Sequence, residues 1–309
     1  MRFLNKALGI SVLALMAACG QQAEEAAEAD STGTMVADTM SAGAPFWVVS
    51  DEDSKMVLFP TIHVLPEDLE WKSEAYEAAL AEADEVWFEI LPTEMNDQAQ
   101  MQQLALQYGM SPDKPLSERL SPELYAELEA AATEVGLPMQ ALEPMRPWFA
   151  AVNLSVMDLM GDGFTPGAGV ETVVAAETPD EKERGLETVA QQLGFFGSLP
   201  EDVEIMFLEA TLEQMESGQK ELKEFAEDWA SGDVSGLEEF VIGGIRDVSE
   251  ELYQVLLVKR NQDWVEQLAE ELEGSGNDFV AVGAGHLVGA DGVPQLLAAR
   301  GYKVEGPGF

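Results

Sequence analysis

Histidine, cysteine and basic residues are scarce in this 309-residue chain, which has two histidines, one cysteine, and 16 lysines and arginines against 58 acids. Each scarcity excludes something. The single cysteine, Cys19, rules out an internal disulfide and leaves no second thiol for nucleophilic chemistry. A formal net charge of −42 makes nucleic acid a disfavoured partner and sets the chain against anionic headgroups, although such a charge is also an ordinary means of keeping a surface soluble. Beyond the N-terminal segment no run approaches the ~20 apolar residues of a transmembrane helix. The nearest candidate, 148–160, is interrupted by Asn153 and Asp158. Also missing are a His-Glu-x-x-His helix, a Gly-x-Ser-x-Gly elbow and a glycine-rich phosphate loop with lysine.

At the N-terminus, Arg2 and Lys6 precede an apolar stretch, Ala7 to Ala18, that is too short to span a bilayer. This is a secretory signal over residues 1–18. The string Leu15-Met16-Ala17-Ala18-Cys19 resembles a bacterial lipoprotein processing site, which implies a lipid on Cys19 and attachment to the membrane through it. The other reading is an ordinary cleaved signal with an incidental cysteine. Gly20 stands where lipoproteins kept in the inner membrane carry Asp, so the resemblance implies a periplasmic, lipid-anchored protein of the outer membrane. Residues 19–43 are mostly small and acidic, cannot bury enough surface to fold, and read as a disordered tether. About 25 flexible residues reach about 25–30 Å. With 46% apolar residues in the chain, 44–309 is large enough for one domain with a substantial core.

Short apolar runs punctuate that domain. Phe46–Val49 and Met56–Phe59, separated by the turn residues Asp51-Glu52-Asp53-Ser54, predict a hairpin. A helical pattern over Lys72–Ala83 leads to a strand at Val86–Ile90. Residues 94–180 and 198–273 are mainly helical, with a short strand near Glu183–Thr188 between them. Phe279–Val282, the helix Val293–Ala299 and a last strand at Tyr302–Glu305 follow. The class is mixed α/β: a central sheet flanked by helices, with large helical insertions between the early and late strands.

Both histidines fall just past apolar strands, His63 after Met56–Phe59 and His286 after Phe279–Val282. Open α/β sheets build sites outside the carboxyl ends of their strands, so the two imidazoles are placed to converge. Glu89 interrupts the strand Val86–Ile90 near its carboxyl end, and a buried carboxylate there needs a partner. Taken singly, a histidine bonded within its loop or a solvent-facing edge glutamate accounts for each. Taken together, His63, Glu89 and His286 make a metal or acid/base site with a water to activate, because divalent ions bind mixed imidazole and carboxylate sets.

The order of motifs adds a resemblance. Thr61-Ile62-His63-Val64-Leu65-Pro66, the strand carrying Glu89, Met145-Arg146-Pro147-Trp148, Gly185-Leu186-Glu187-Thr188, Lys259-Arg260-Asn261 and Gly283-Ala284-Gly285-His286 together resemble the TraB/PrgY/GumN family over roughly Phe46 to Val304. That family is related to the Tiki metalloproteases. The resemblance implies a metal-dependent hydrolase of peptides or proteins, with His63, Glu89 and His286 as catalytic and metal-holding residues for a divalent ion such as Mn, Co or Zn. It implies Arg260 and Asn261 as substrate-binding residues and Gly283 as the motif glycine. Pro60 stands at the corresponding position of the first motif and, having a fixed φ and no N–H, raises the question of how that loop is built. A non-catalytic peptide-binding lipoprotein of the same fold is the alternative.

Overall fold

A computed structural model describes residues 43–217 and 220–309. The expected signal over 1–18, Cys19 and all but the last residue of the expected tether 19–43 lie outside the described residues. In chain order the strands are β1 (Trp47–Ser50), β2 (Ser54–Thr61), β3 (Leu65–Pro66), β4 (Glu85–Ile90), β5 (Phe164–Thr165), β6 (Glu183–Glu187), β7 (Gly276–Gly283) and β8 (Lys303–Glu305). β3 and β5 pair by themselves, and the other six form one sheet in the order β6-β4-β7-β2-β1-β8. β6, β4, β7 and β2 run parallel, while β1 lies antiparallel to both β2 and β8. The protein is a mixed α/β fold, with helices between β4 and β6 and again between β6 and β7 forming the insertions.

Local chemistry sets the boundaries. The β1–β2 turn is tied by Asp51, whose carboxylate accepts from the N–H and hydroxyl of Ser54 at 2.9 and 2.6 Å. Ser73 caps the helix Glu74–Glu82, and Ser121 caps Pro122–Glu134 with proline in the first turn. β6 stops one residue short of its predicted end because Thr188 leaves the strand and forms a reciprocal cap with Gln191 over the helix Val189–Gly197.

β7 and β2 are the central strands, and buried rings lock them together. Phe59 stacks on Phe279 at 5.5 Å and meets Tyr76 at 5.1 Å and Trp71 at 5.7 Å, while Trp229 meets it edge to face at 6.4 Å. Each such ring contributes on the order of 2–3 kcal/mol of burial. This cluster fixes the register of β2 on β7, and hence where the two histidine loops leave the sheet. Arg146 serves the helical layer, donating to the Gly197 carbonyl at 2.8 Å and pairing with the buried Glu204. Among the described residues no helix is long and apolar enough to cross a membrane.

Candidate functional site

In the parallel pair β2–β7, Thr61 lies opposite Gly283, so His63 and the helical turn Ala284–His286 emerge side by side. β4 flanks β7 on its other side, with Phe88 opposite Ala281, and brings in Glu89. The structure thus gathers the three expected site residues at one sheet edge. A Cβ added to Gly283 would lie 2.9 Å from Glu89 Oε1, 3.6 Å from His286 Cδ2 and 3.9 Å from His63 Nε2. Gly283 has φ −49°, so it is needed for this close approach and not for a left-handed backbone. Its own N–H donates to Glu89 Oε1 at 2.8 Å.

Pro60, at the motif position equivalent to Gly283, simply continues β2 opposite Val282. β1 reaches only to Leu58 in its pairing with β2, so the missing N–H of Pro60 takes no bond from β1.

Both imidazoles are held by Nδ1. His63 Nδ1 lies 2.6 Å from Glu171 Oε1, and that oxygen also accepts from the Thr61 hydroxyl. Glu171 is brought there by the start of the helix Val170–Glu177, where Val170 N–H donates to the Ile62 carbonyl at 3.1 Å. Gly169 is obligatory at that contact, since a Cβ would stand 2.0 Å from the His63 carbonyl oxygen. On the other side, His286 Nδ1 lies 2.5 Å from Asn261 Oδ1, while Asn261 Nδ2 donates to the Asp291 carbonyl at 2.8 Å. That orientation of the amide places the imidazole proton on Nδ1 and leaves a lone pair on His286 Nε2. His286 Nε2 is buried without a hydrogen-bond partner, 3.8 Å from Glu89 Oε1.

Arg260 and Asn261, expected to face a substrate, lie beneath the site. Arg260 is 2% exposed and donates to Glu89 at 2.6 Å, to both oxygens of Glu187 at 2.8 and 3.1 Å, and to the Leu256 carbonyl at 2.9 Å. Glu187 also accepts from Trp264 Nε1 at 2.8 Å, and the Trp264 ring lies against His286 with centroids 4.2 Å apart. A π-helical turn, Gln254–Val258, runs directly into the helix Lys259–Leu272, giving Arg260 and Asn261 their direction. Gln192 completes the carboxylate shell, donating to Glu89 Oε2 at 3.0 Å.

The charges respond to these neighbours. Burial pushes the Glu89 carboxyl up, but Arg260, His286, His63 and the Gly283 N–H together hold it down at about 2. Burial likewise pushes His63 down, and the charge and hydrogen bond of Glu171, with Glu89, reverse this and raise it to about 9. For His286 burial and the Arg260 charge act in the same direction and lower it to about 3, so it stays neutral.

This donor set suits a divalent ion by its chemistry: the buried unpartnered Nε2 of His286, the ionised Glu89 carboxylate, and the His63 imidazole once the ion displaces the proton that Glu171 favours, around a space that only glycine leaves free. It is more open than a closed coordination shell. Among the described residues, the set of three donor atoms mutually within 4.8 Å is instead Glu85, Glu271 and Asp278 at the opposite sheet edge.

Beside the site lies a cavity of about 490 Å³, with His63, Glu89 and Glu171 at one end. Glu171, Gln192, Trp264 and Asp291 escaped the sequence reading because each is a polar or aromatic residue in helical or loop sequence with no strand to mark it. Glu187 lies in the Gly-Leu-Glu-Thr string that carries part of the resemblance, but its strand, Glu183–Glu187, is polar enough that an acid there does not stand out.

Four parallel strands with paired imidazoles at their carboxyl ends define an α/β protein with a strand-edge site. The chain belongs to the TraB/PrgY/gumN family, whose sequence model matches residues 45–306. It is similar to Uncharacterized protein YbaP of Escherichia coli (strain K12), at 26% identity over 184 residues covering 59% of this chain and 67% of that protein. Uncharacterized protein YbaP of Shigella flexneri is similar at the same 26% identity and coverage. No solved structure matches the chain.

Proposed function

We propose that this protein is a metal-dependent hydrolase acting on peptides, held in the periplasm by a lipid on Cys19, with His63, Glu89 and His286 binding a divalent ion. One observation carries the reading. Each imidazole has Nδ1 fixed by a side-chain oxygen and presents Nε2 beside Glu89 Oε1 around Gly283, an arrangement that in metal sites orients ligand histidines. A divalent ion bound there supplies Lewis acidity and a water whose pKa is lowered to about 7.

The chain's own groups do the rest. Arg260 keeps Glu89 ionised, Asn261 holds His286 in the tautomer with a free Nε2, and Glu171 orients His63. Arg260 and Asn261 are positioning residues in this reading.

The second reading is a non-catalytic peptide-binding protein using the same cavity. It is favoured by the saturation of Glu89, whose Oε2 already accepts from Arg260 and Gln192 and whose Oε1 accepts from Gly283.

Metal analysis of the purified protein, with peptide hydrolysis assayed in Mn²⁺, Co²⁺ and Zn²⁺, separates the two. About one ion per chain and metal-stimulated cleavage are expected, both lost in His63→Ala and in His286→Ala, and no more so in the double variant. Peptide binding without metal uptake or cleavage would establish the binding reading instead. The anchor is tested by Cys19→Ser, which should move the protein from the membrane fraction to the soluble periplasm.

A further inference from the structure

The cavity runs from its His63 end over Phe88 and Ile90 to Asp180 and Glu183. Four carboxylates line it, those of Glu89, Glu171, Asp180 and Glu183, and no lysine or arginine does. Glu89 is matched by Arg260 and Glu171 by His63. Glu183 is matched by nothing. It is 7% exposed, and among the described residues no N–H or hydroxyl donates to its carboxylate and no cation pairs with it.

The neighbouring cations are turned elsewhere: Lys182 donates to the Ala83 carbonyl at 2.7 Å, and Arg184 pairs with Glu85 at 2.5 Å. Glu183 lies opposite Val86 in the β4–β6 ladder, so it shares a sheet face with Phe88 and Ile90 and points along the cavity wall. Burial and the adjacent Asp180 charge both push its carboxyl up, a cost that an arriving cation removes. The side chain is largely buried and without a partner, and its carboxylate oxygens open onto the cavity, where an arriving cation meets no competing donor.

We propose that Glu183, assisted by Asp180, is a cation subsite that takes an ammonium or guanidinium group of a peptide. The register puts Glu183 three residues before the level of Glu89, roughly 10 Å along the strand at ~3.3 Å per residue, and the pleat turns the Glu89 side chain to the other face, so the cavity joins the two around the carboxyl end of β4. The orientation of the substrate, basic group at Glu183 and scissile bond at His63, rests on the hydrolase reading; the subsite itself does not. A chain of net charge −42 also draws basic peptides toward it.

The test is calorimetric titration of the full chain in metal-free, low-salt buffer with two hexapeptides that differ only in lysine or norleucine at one position, each with a free or an acetylated amino terminus. The lysine peptide is expected to bind about tenfold tighter or more. Glu183→Gln should erase most of that advantage without changing the norleucine affinity, and Asp180→Asn, at an exposed position, should erase part of it. A preference that follows the free amino terminus and is lost in Glu183→Gln assigns the subsite to chain ends; one that follows lysine assigns it to side chains. Equal binding of lysine and norleucine peptides irrespective of the terminus, a cation preference that survives both substitutions, or no binding of any peptide overturns the proposal. Because no metal is present, a failure of hydrolysis leaves these affinities untouched.

Discussion

The two edges of the parallel strands carry similar acids and treat them in opposite ways. At the carboxyl edge Glu89 and Glu187 are buried around Arg260, with Trp264, Gln192 and the Gly283 N–H filling the remaining acceptor positions. At the amino edge Asp278 lies opposite Glu85 in the ladder, with Glu271 and Asp84 beside it and only Arg184 in reach of Glu85. The first edge holds Glu89 near 2 against its burial, while at the second burial and three neighbouring acids raise Asp278 to about 7. Burial is common to Glu89, Glu187 and Asp278, and at Glu187 it still outweighs the same Arg260 and pushes the carboxyl up; only Glu89, which has Arg260, two imidazoles and the Gly283 N–H around it, is held below its ordinary value. Donor spacing alone selects the amino edge as the tighter cluster, yet among the described residues it holds no imidazole, and its cation, Arg184, pairs with Glu85 and leaves Asp278 among acids. The carboxyl edge is looser but every group in it is directed.

Removing the cation at the carboxyl edge gives the largest expected effect. Arg260→Met should cost about 3–5 kcal/mol in urea unfolding, because it strands two buried carboxylates at once. A loss below about 1 kcal/mol would mean that Glu89 and Glu187 escape by taking up protons, and the contrast between the edges would disappear. Filling the glycine cradle comes next. Gly283→Ala places a Cβ against Glu89 Oε1 and should cost about 1–3 kcal/mol, with metal affinity falling alongside. Unchanged stability and unchanged metal uptake would show that the close approach at Gly283 has no bearing on the site.

Sequence patterning reached the strands, the helix insertions and the convergence of His63, Glu89 and His286, because a site at strand ends inherits its position from the apolar runs themselves. It did not reach their partners. Arg260 meets Glu89 across 171 residues, and Asn261 meets His286 across 25; a helix's periodicity gives its buried face but not the residue it is buried against. Arg260 and Asn261 therefore read as residues facing a substrate, when burial turns them toward the acids and the imidazole. Glu171 was hidden for the same reason, in a helix whose first turn is set by Gly169 packing on the His63 carbonyl. Pro60 stands where the first motif has its glycine, which leaves the geometry of that loop open in the sequence. In the fold it is a strand residue opposite Val282, one step short of the level at which Gly283 makes its contact.

The smallest effect expected is at the amino edge, and it has the opposite sign. The Asp278 carboxyl moves from 3.8 to about 7 on folding, so between those values the folded chain holds a proton that the unfolded chain has lost. Stability from this group is therefore greatest below about pH 4, declines as pH rises towards 7 and is level above that. Asparagine cannot ionise and keeps an oxygen acceptor, so Asp278→Asn should match the wild type near pH 4 and melt higher at pH 8. Glu85 and Glu271 beside Asp278 are half-buried, so solvent screens much of the about 4 kcal/mol that the full shift implies, and the gain should be a few degrees at about 2–4 °C per kcal/mol for a domain of this size. The comparison to make is the difference in melting temperature between variant and wild type across pH, which cancels the titration of every other acid. A difference that stays flat from pH 4 to 8 would show that the Asp278 charge is relieved by solvent, and that the amino edge carries its acids no less comfortably than the carboxyl edge.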